Sequence, residues 1–567
     1  MLTNKERQLL TIVDKAELER HMDAITAADR LAGGAGEAQA AEYIVSELEK
    51  AGLDAQLKHS QAIISNPVSG RLSYKAAGGL RHVPAKTRSF SANTGGHPVT
   101  GRLTYLPGGS LPTGILDLQI SDQSAPKDLA GAIVLSEASS PAAVLASARR
   151  GATGFVQWWN GGEELIHEGI VNPVWGMPQA GEAALYPPIP VVAVSGPIGK
   201  ELRQAAEMGA TVNLSTDLEE KLASIPLVEA VIIPPHDSGK YLLIGNHLDS
   251  WYEGATDNGT GNALALLLAQ VLHGRRNELH YGVKIAWWSG HSNGRYAGSA
   301  AYARDNFADL AANCLAYMNI DMPGIRGATD YTKITAGPEL FDLARQSVAD
   351  ITDVVGSYCP SVRGWDQSFQ NIGVTPYFIW ASALPTGHPD TTNNSFMPWW
   401  WHTEKDGRDY HDPLVFLKDT RLYLLAAWRL LTCDRPLFAT SALVEHAGKV
   451  LAAKTETSRD VFDLSGVMAA CGDMAMAYHR RQAEKPLTLD ETLFLIRKIN
   501  QLLHVEKSPH LQDWAVEQGV LPGLDATRLL RRADFTERQK AVLRHHLACQ
   551  ANRIIDLCAS LRPLLKS

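Results

Sequence analysis

The sequence has no basic clusters and no long apolar run, and it contains little cysteine. No stretch approaches the roughly 18 uninterrupted apolar residues of a membrane-spanning helix, so we expect a protein without one. The formal charge of −8, spread without basic patches, argues against nucleic acid and against an anionic membrane as partners. The amino terminus is polar and lacks the apolar segment of a secretory signal, and on that ground we predict a cytoplasmic protein.

The six cysteines of the 567-residue chain are scattered without CxxC spacing. This pattern is typical of reduced core thiols and indicates neither a disulfide framework nor a zinc knuckle. A chain of this length is too long for one hydrophobic core, so we expect about two to four domains.

Strand and helix patterns alternate in the central part of the chain. Apolar runs predict strands at 241–244, 283–288 and 315–320, and residues 262–272 have the pattern of an apolar helix. Such alternation is typical of a mostly parallel sheet with helices on both faces, in which ligands bind at the carboxyl ends of the strands. We therefore predict an α/β fold for this part.

Two other regions have different patterns. Short strands alternate with small-residue helices between residues 131 and 194, which predicts a small α/β module that interrupts the main domain. After residue 440 the strand signals vanish and apolar residues recur at helical spacing, which predicts a carboxy-terminal helical domain. The helix pattern alone leaves open whether this domain mediates oligomerisation or packs against its own catalytic domain.

Several residues of metal-binding types follow the predicted strands or lie in loops. His247 ends an apolar strand two residues before Asp249, and the glycine-rich turn after it presents Asp257. Asp321 follows another strand, and His402 follows a run of tryptophans. An imidazole ligand, a carboxylate that fixes its tautomer and a second carboxylate able to bridge cations are the parts of a metal site. The sequence therefore predicts a metal centre.

In these segments the chain resembles the co-catalytic zinc aminopeptidase family that includes glutamate carboxypeptidase II and the transferrin receptor. The motifs that carry the resemblance are His247-Leu248-Asp249, Asp257-Asn258-Gly259-Thr260-Gly261, Asn319-Ile320-Asp321-Met322-Pro323-Gly324 and His402-Thr403-Glu404-Lys405-Asp406. The resemblance implies a zinc-peptidase-like catalytic domain at 1–64 and 226–440, an inserted protease-associated domain at 65–225 and a helical dimerisation domain at 441–567. It therefore also implies a homodimer.

The resemblance assigns a role to each of these residues. His247 and Asp321 would bind one metal ion, Asp257 would bridge, and His402 would bind a second ion. Asp249 would be the partner of His247, and we count it among the catalytic residues. The metal that the resemblance implies is zinc, with one or two ions, while the residue types leave manganese, iron or nickel open.

One part of the family's pattern is missing. Family hydrolases carry two adjacent glutamates after the strand that ends here at Trp288, the first as general base and the second as metal ligand. This chain has Ser289-Gly290-His291-Ser292-Asn293-Gly294 instead, so His291 stands at the position of the base and Ser292 at that of the ligand. Trp401 likewise replaces a tyrosine that often precedes the last histidine and polarises the substrate carbonyl.

His291 has two possible roles, as a metal ligand or as the general base. Imidazole binds these metals, and its pKa suits proton transfer near neutrality. We predict an enzyme that hydrolyses an amide or peptide-like C–N bond in a small substrate, with a non-peptide amide or a metal-assisted C–N elimination left open. The alternative is a degenerate family member that acts as a binding scaffold. The persistence of the ligand set argues against such decay.

Four further residues are candidates for substrate binding. Asp366 matches a family aspartate near the substrate pocket. Arg295 could clamp a substrate carboxylate, although an ordinary surface arginine fits the same pattern. Ser292 lies outside any Gly-x-Ser-x-Gly elbow, so we expect a hydrogen-bonding role and not a nucleophile. Trp401 belongs to a tryptophan run (Trp399–Trp401) that forms either an aromatic wall for a flat or apolar substrate or packing under the loop.

Overall fold

The computed structural model of the protein describes residues 1–76, 79–120, 128–393, 395–433, 438–516 and 518–566. The α-helices in these ranges are α1 (Asn4–Thr11), α2 (Lys15–Ile25), α3 (Ala35–Lys50), α4 (Ile115–Ile120), α5 (Pro141–Arg149), α6 (Gly196–Glu207), α7 (Thr260–Gly274), α8 (Ala297–Asp305), α9 (Phe307–Asn313), α10 (Phe341–Thr352), α11 (Pro413–Leu431), α12 (Thr440–Ser458), α13 (Ser465–Glu484), α14 (Leu489–His504), α15 (Ala526–Leu529), α16 (Glu537–Ser560) and α17 (Arg562–Lys566). The strands are β1 (Ala55–Ala76), β2 (Gly79–Val83), β3 (Lys86–Thr87), β4 (Val99–Tyr105), β5 (Ala132–Ser136), β6 (Gly154–Trp158), β7 (Val191–Val194), β8 (Thr211–Ile232), β9 (Tyr241–His247), β10 (Gly282–Trp288), β11 (Cys314–Asn319), β12 (Lys333–Thr335) and β13 (Ser357–Cys359).

Strands β1 to β11 form one continuous mixed sheet. Its order is β11-β9-β10-β8-β4-β5-β6-β7-β3, and β1 pairs with both β8 and β2. The long strands β1 and β8 have 22 residues each and pair antiparallel along most of that length. The last residues of β8 pair with β10 and its first residues pair with β4, so the antiparallel pair of β1 and β8 joins the two parts of the sheet.

The parallel strands β9, β10 and β11 position the candidate site. In the register of the sheet His247 lies beside Trp288, and Gly245 lies beside Asn319. All seven residues of β9 are buried, and α7, which is almost wholly buried, packs on this sheet. Since parallel strands end at the same edge, the segments that follow β9, β10 and β11 meet there. The predicted α/β class, with its mostly parallel central sheet, is confirmed.

The inserted module also follows its predicted pattern. Strands β4 to β7 pair parallel in sequence order, with α4 and α5 between them and α6 after β7. The predicted boundaries at residues 64 and 225 both fall inside strands, within β1 and β8, and not in linkers. The boundaries and the protease-associated identity of residues 65–225 stay predictions.

The carboxy-terminal region is helical, as predicted, and it packs against the catalytic domain of the same chain. On α14, Arg497 donates hydrogen bonds to the main-chain oxygens of Leu310, Cys314 and Gly373. Homodimer formation through this region stays a prediction, as does the cytoplasmic location. Among the described helices, none combines the length and the apolar character that a membrane crossing requires.

Candidate metal centre

His247 presents one ring nitrogen to two carboxylates at the end of β9. Its Nδ1 lies 2.9 Å from the main-chain oxygen of Asp249, a contact that assigns the proton to Nδ1 and leaves the lone pair on Nε2. Nε2 lies 3.1 Å from Oδ1 of Asp257 and 3.5 Å from Oδ1 of Asp321. The strand and its first turn therefore build one half of the predicted cluster.

Asp257 lies between the two histidines of the cluster. Its second oxygen, Oδ2, lies 3.2 Å from Nε2 of His402. Burial opposes its charge, but His247 and His402 hold the pKa of Asp257 well below its ordinary value. Burial likewise opposes the charged form of His247, yet Asp257 and Asp321 raise its pKa well above the usual range. The raised pKa of His247 indicates that the two carboxylates make this buried site attractive to positive charge.

Two atoms of the cluster fit a missing ligand. Nε2 of His247 and Oδ1 of Asp321 are buried and lie close to other polar atoms of the cluster, yet neither makes a hydrogen bond of ordinary geometry among the described residues. An enclosed polar atom without a partner is costly, so it points to something that pairs with it. A divalent cation would pair with both, and imidazole nitrogen with carboxylate oxygen is a donor set that zinc takes. The residues therefore fit a metal ion, with Asp257 placed to bridge toward His402.

His291 is held in the cluster at three points. Its main-chain nitrogen donates to the carboxylate of Asp249, at 3.0 and 3.2 Å. Its ring stacks on that of His247 with centroids 4.0 Å apart and planes 20° apart. Its Nδ1 lies 2.6 Å from Oδ2 of Asp366, whose other oxygen accepts from the hydroxyl of Ser299. The imidazole of His291 therefore lies against His247, and donor atoms of His247, His291 and Asp321 lie within 4.8 Å of one another.

Two opposing influences act on the pKa of Asp366. Burial favours its neutral form, but the charge and hydrogen bond of His291 hold the pKa of Asp366 below its usual value. A carboxylate that accepts from Nδ1 leaves the His291 lone pair on Nε2. The predicted role of Asp366 in substrate binding stays a prediction, and its carboxylate is the hydrogen-bond partner of His291.

The carboxylate of Asp249 makes a hydrogen bond to His291 and lies farther from the ring of His247. It accepts the main-chain N–H of His291, and its Oδ1 lies 3.7 Å from Nδ1 of His247. The predicted partnership with His247 runs through the main-chain oxygen of Asp249 instead. This aspartate therefore connects the end of β9, which carries His247, to the loop that carries His291.

Arg295 and Ser292 lie in the same loop as His291 but have other partners. The guanidinium of Arg295 donates to the main-chain oxygen of Ala515 and lies over the ring of Tyr296. Ser292 is buried, and its main-chain oxygen accepts from the amide of Arg295. The hydrogen bond of the Arg295 side chain thus goes to the carboxy-terminal region and not to the cluster. The sequence could not indicate this because Ala515 is 220 residues away.

The tryptophan run divides between the two predicted roles. The ring of Trp401 stacks on that of His402, with centroids 3.6 Å apart, and is partly exposed. Trp400 is fully buried and stacks on Tyr410. One tryptophan therefore lines the cluster while its neighbour packs beneath the loop.

Three residues that hold the cluster in place were missed from the sequence. Asp406 accepts from the amides of Thr256 and Asp257 at 3.0 Å, and burial raises its pKa to about 7. Asn258 donates to the main-chain oxygen of Ile320, so it connects the bridging loop to the Asp321 loop. Glu168, from the inserted module, contacts His402 through its main chain. Motifs containing Asp406 and Asn258 were evident, whereas nothing near Glu168 marks it.

A mostly parallel sheet with histidine and aspartate donors at its carboxyl edge, one aspartate lying between two histidines, defines a co-catalytic metallopeptidase-type centre. Residues 230–424 match the model of peptidase family M28. The match spans all the cluster residues from His247 to His402.

Curated relatives and solved structures agree with this assignment. The chain is 24% identical over 401 residues to the "Probable glutamate carboxypeptidase VP8" of Zea mays, covering 62% of this chain and 54% of that protein. It is 27% identical over 318 residues to the "Probable lipoprotein aminopeptidase LpqL" of Mycobacterium tuberculosis, covering 54% and 58%. The chain thus spans little more than half the length of these relatives.

Two solved structures share the fold. A peptidase M28 precursor from Shewanella amazonensis aligns with a TM-score of 0.60 at 17% identity, covering 76% of this chain and 97% of that one. An aminopeptidase from Aneurinibacillus sp. strain AM-1 aligns with a TM-score of 0.57 at 19% identity, covering 76% and 96%. At these identities the likeness concerns the fold.

Proposed function

We propose that the protein is a metal-dependent hydrolase that cleaves an amide or peptide-like C–N bond in a small substrate. The observation that carries this proposal is the convergence of His247, Asp257, Asp321 and His402 around buried, unpaired donor atoms. The M28 match and the names of the relatives support a peptidase-type reaction. Zinc is the metal we propose, with manganese, iron or nickel as the alternatives to test.

His247 and Asp321 would hold one ion, His402 a second, and Asp257 would bridge them. A bound ion supplies Lewis-acid chemistry, because it polarises a carbonyl oxygen and lowers the pKa of water. Trp401, stacked on His402, would contact the substrate on one side and favour a flat or apolar group there.

We propose that His291 is the general base and not a ligand of the ion held by His247. Donor atoms of His247, His291 and Asp321 lie within 4.8 Å of one another, which by itself would allow a shared ion. However, an imidazole binds zinc along the plane of its ring at about 2.1 Å. The two rings are stacked 4.0 Å apart and are nearly parallel, so one ion at bonding distance cannot lie in the planes of both rings.

The same stack leaves His291 well placed to move a proton. Asp366 holds Nδ1, so Nε2 is the atom that would accept a proton from the attacking water and return it to the leaving nitrogen. Asp366 would orient the ring and stabilise its protonated form, as carboxylate partners of catalytic histidines do.

Metal analysis and activity of variants test the proposal together. We expect stoichiometric divalent metal in the wild type and its loss in His247→Ala. In His291→Ala we expect retained metal and at least a 100-fold loss of hydrolysis, measured with amino-acyl anilides and small aromatic amides. His236→Ala, an exposed histidine, is the matched control.

The outcomes separate the possible roles. Metal loss in His291→Ala would make His291 a ligand and contradict its role as base. A wild-type protein without stoichiometric metal would contradict the proposal and favour a binding scaffold.

A further inference from the structure

The two histidines at the ends of the cluster are supported in different ways. His247 belongs to a buried strand, and its Nδ1 is bonded two residues further along the chain. His402 lies in a loop, in a left-handed backbone conformation with φ of 58°, and no strand holds it. Its support comes from the inserted module, which is more than 200 residues away in sequence.

Glu168 of the inserted module contacts His402 at two points. The amide of Glu168 donates to the main-chain oxygen of His402 at 2.7 Å. Nδ1 of His402 lies 3.3 Å from the main-chain oxygen of Glu168. An oxygen at that place accepts a proton from Nδ1, so the lone pair of His402 lies on Nε2, which faces Asp257.

His167 fixes the neighbouring residue of the same loop. Its side chain is completely buried, with Nδ1 2.5 Å from the main-chain oxygen of Trp401 and Nε2 2.8 Å from Oε1 of Glu163. The ring of Trp159 stacks on that of His167, with ring centroids 4.4 Å apart. Glu163 also accepts from the indole of Trp159 and from the hydroxyl of Thr392. A buried network thus anchors residues 159–168 to the segment that carries His402.

We infer that residues 159–168 of the inserted module are the positioning element for the second metal ligand, and that His167 is its central side chain. This inference rests on the proposed metal function. The sheet preforms the half of the centre that contains His247 and Asp321. The half that contains His402 is complete only when the inserted module is docked, because the tautomer and rotation of that imidazole depend on it.

The test uses His167→Ala in the full-length protein, with Glu163→Gln as a milder variant that keeps the side-chain size. Tyr105→Phe is the control, because it removes another hydrogen bond of the inserted module, to Glu137 at 2.8 Å, away from His402. His402→Ala provides the reference for complete loss of the ligand. Each protein is titrated with zinc against a chromophoric chelator, and its cobalt(II) form is examined by visible absorption.

We expect His167→Ala to weaken binding of the ion that depends on His402 by up to about 10- to 100-fold. That is the range for losing the hydrogen-bond partner of a metal-binding histidine, and His167 holds the segment whose next residue, Glu168, is that partner. The ion that depends on His247 should bind as in the wild type, and the cobalt spectrum should shift toward that of His402→Ala. Glu163→Gln should show the same change to a smaller degree, and Tyr105→Phe no change.

Three results would overturn the inference. The first is wild-type affinity for both ions in a folded His167→Ala protein. The second is an equal loss of both ions in His167→Ala and in Glu163→Gln, which would indicate a general structural role. The third is a metal content that does not respond to His402→Ala. Absence of metal from the wild type would instead contradict the proposed function.

Discussion

Replacing Asp366 by asparagine tests the proposed base most directly. The carboxylate of Asp366 lies 2.6 Å from Nδ1 of His291, and it is buried. An asparagine has nearly the same shape but no charge, and its amide group can present an N–H to Nδ1. The imidazole would then lose the stabilisation of its protonated form and would favour the tautomer with the proton on Nε2, which cannot accept one.

The size of the effect follows from the contact. A hydrogen bond to a charged group contributes about 1.5–3 kcal/mol, and each 1.36 kcal/mol in the barrier changes a rate tenfold. We therefore expect Asp366→Asn to lower kcat by about 10- to 100-fold. The metal content should not change, because Asp366 contacts His291 and not the proposed ligands.

The assay is steady-state hydrolysis of the best amide substrate, with zinc measured in the same samples. Ser299→Ala is the matched control, because it removes the bond to the other oxygen of Asp366, at 2.6 Å, and leaves His291 paired. We expect that variant to lower kcat less than Asp366→Asn does, since the hydroxyl of Ser299 contacts Asp366 and not the imidazole that moves the proton. A kcat for Asp366→Asn within threefold of wild type, with metal retained, would refute the reasoning.

Three further predictions concern stability. Removal of the metal by a chelator should lower the melting temperature, since a ligand at about 1,000 times its Kd stabilises the folded protein by about 4 kcal/mol. The His247→Ala variant should show no further decrease when the chelator is added. Calorimetry measures both effects. Burial raises the pKa of Glu506 from 4.5 to about 7, so this group should lower the free energy of unfolding by about 3 kcal/mol as the pH rises from 4.5 to 7. Glu506→Gln should therefore flatten the dependence of melting temperature on pH in this range. An unchanged dependence would contradict the shift. A Cβ at Gly245 would lie 2.0 Å from the ring of buried Trp288, so Gly245→Ala should destabilise the folded protein by about 1–3 kcal/mol. Gly274 has open space around it, so Gly274→Ala should not destabilise the protein. Equal melting temperatures of the two variants would contradict the close packing at Gly245.

The sequence predicted one half of the centre more fully than the other. His247 and Asp321 follow apolar strands, and the rule that parallel strands end at one edge brings them together without further information. The place of His291 was predicted from the missing glutamates, but its role depends on a ring stack and on Asp366, which lies 75 residues away. Only three-dimensional packing could reveal that contact.

Contacts made through main-chain atoms could not be predicted from the sequence. Glu168 supports His402 with its amide and carbonyl, which every residue type except proline possesses, so no side-chain pattern marks it. Arg295 was assigned to substrate because an arginine in an active-site loop has the right chemistry. Its partner, Ala515, lies in a region that the sequence placed in another domain.

The ribbon of β1 and β8 limits how the molecule can move. A hinge needs a few residues that absorb large changes in backbone angles, but here both crossings between catalytic and inserted parts are paired strands, interrupted only by a shift between Pro67 and Ser69. A rotation that moved the two parts away from each other would break hydrogen bonds between β1 and β8. Entry and exit of molecules at the centre therefore depend on local rearrangement of its surrounding loops. Transfer of the inserted part to another protein would require two chain junctions, one within β1 and one within β8, that keep the two strands in register.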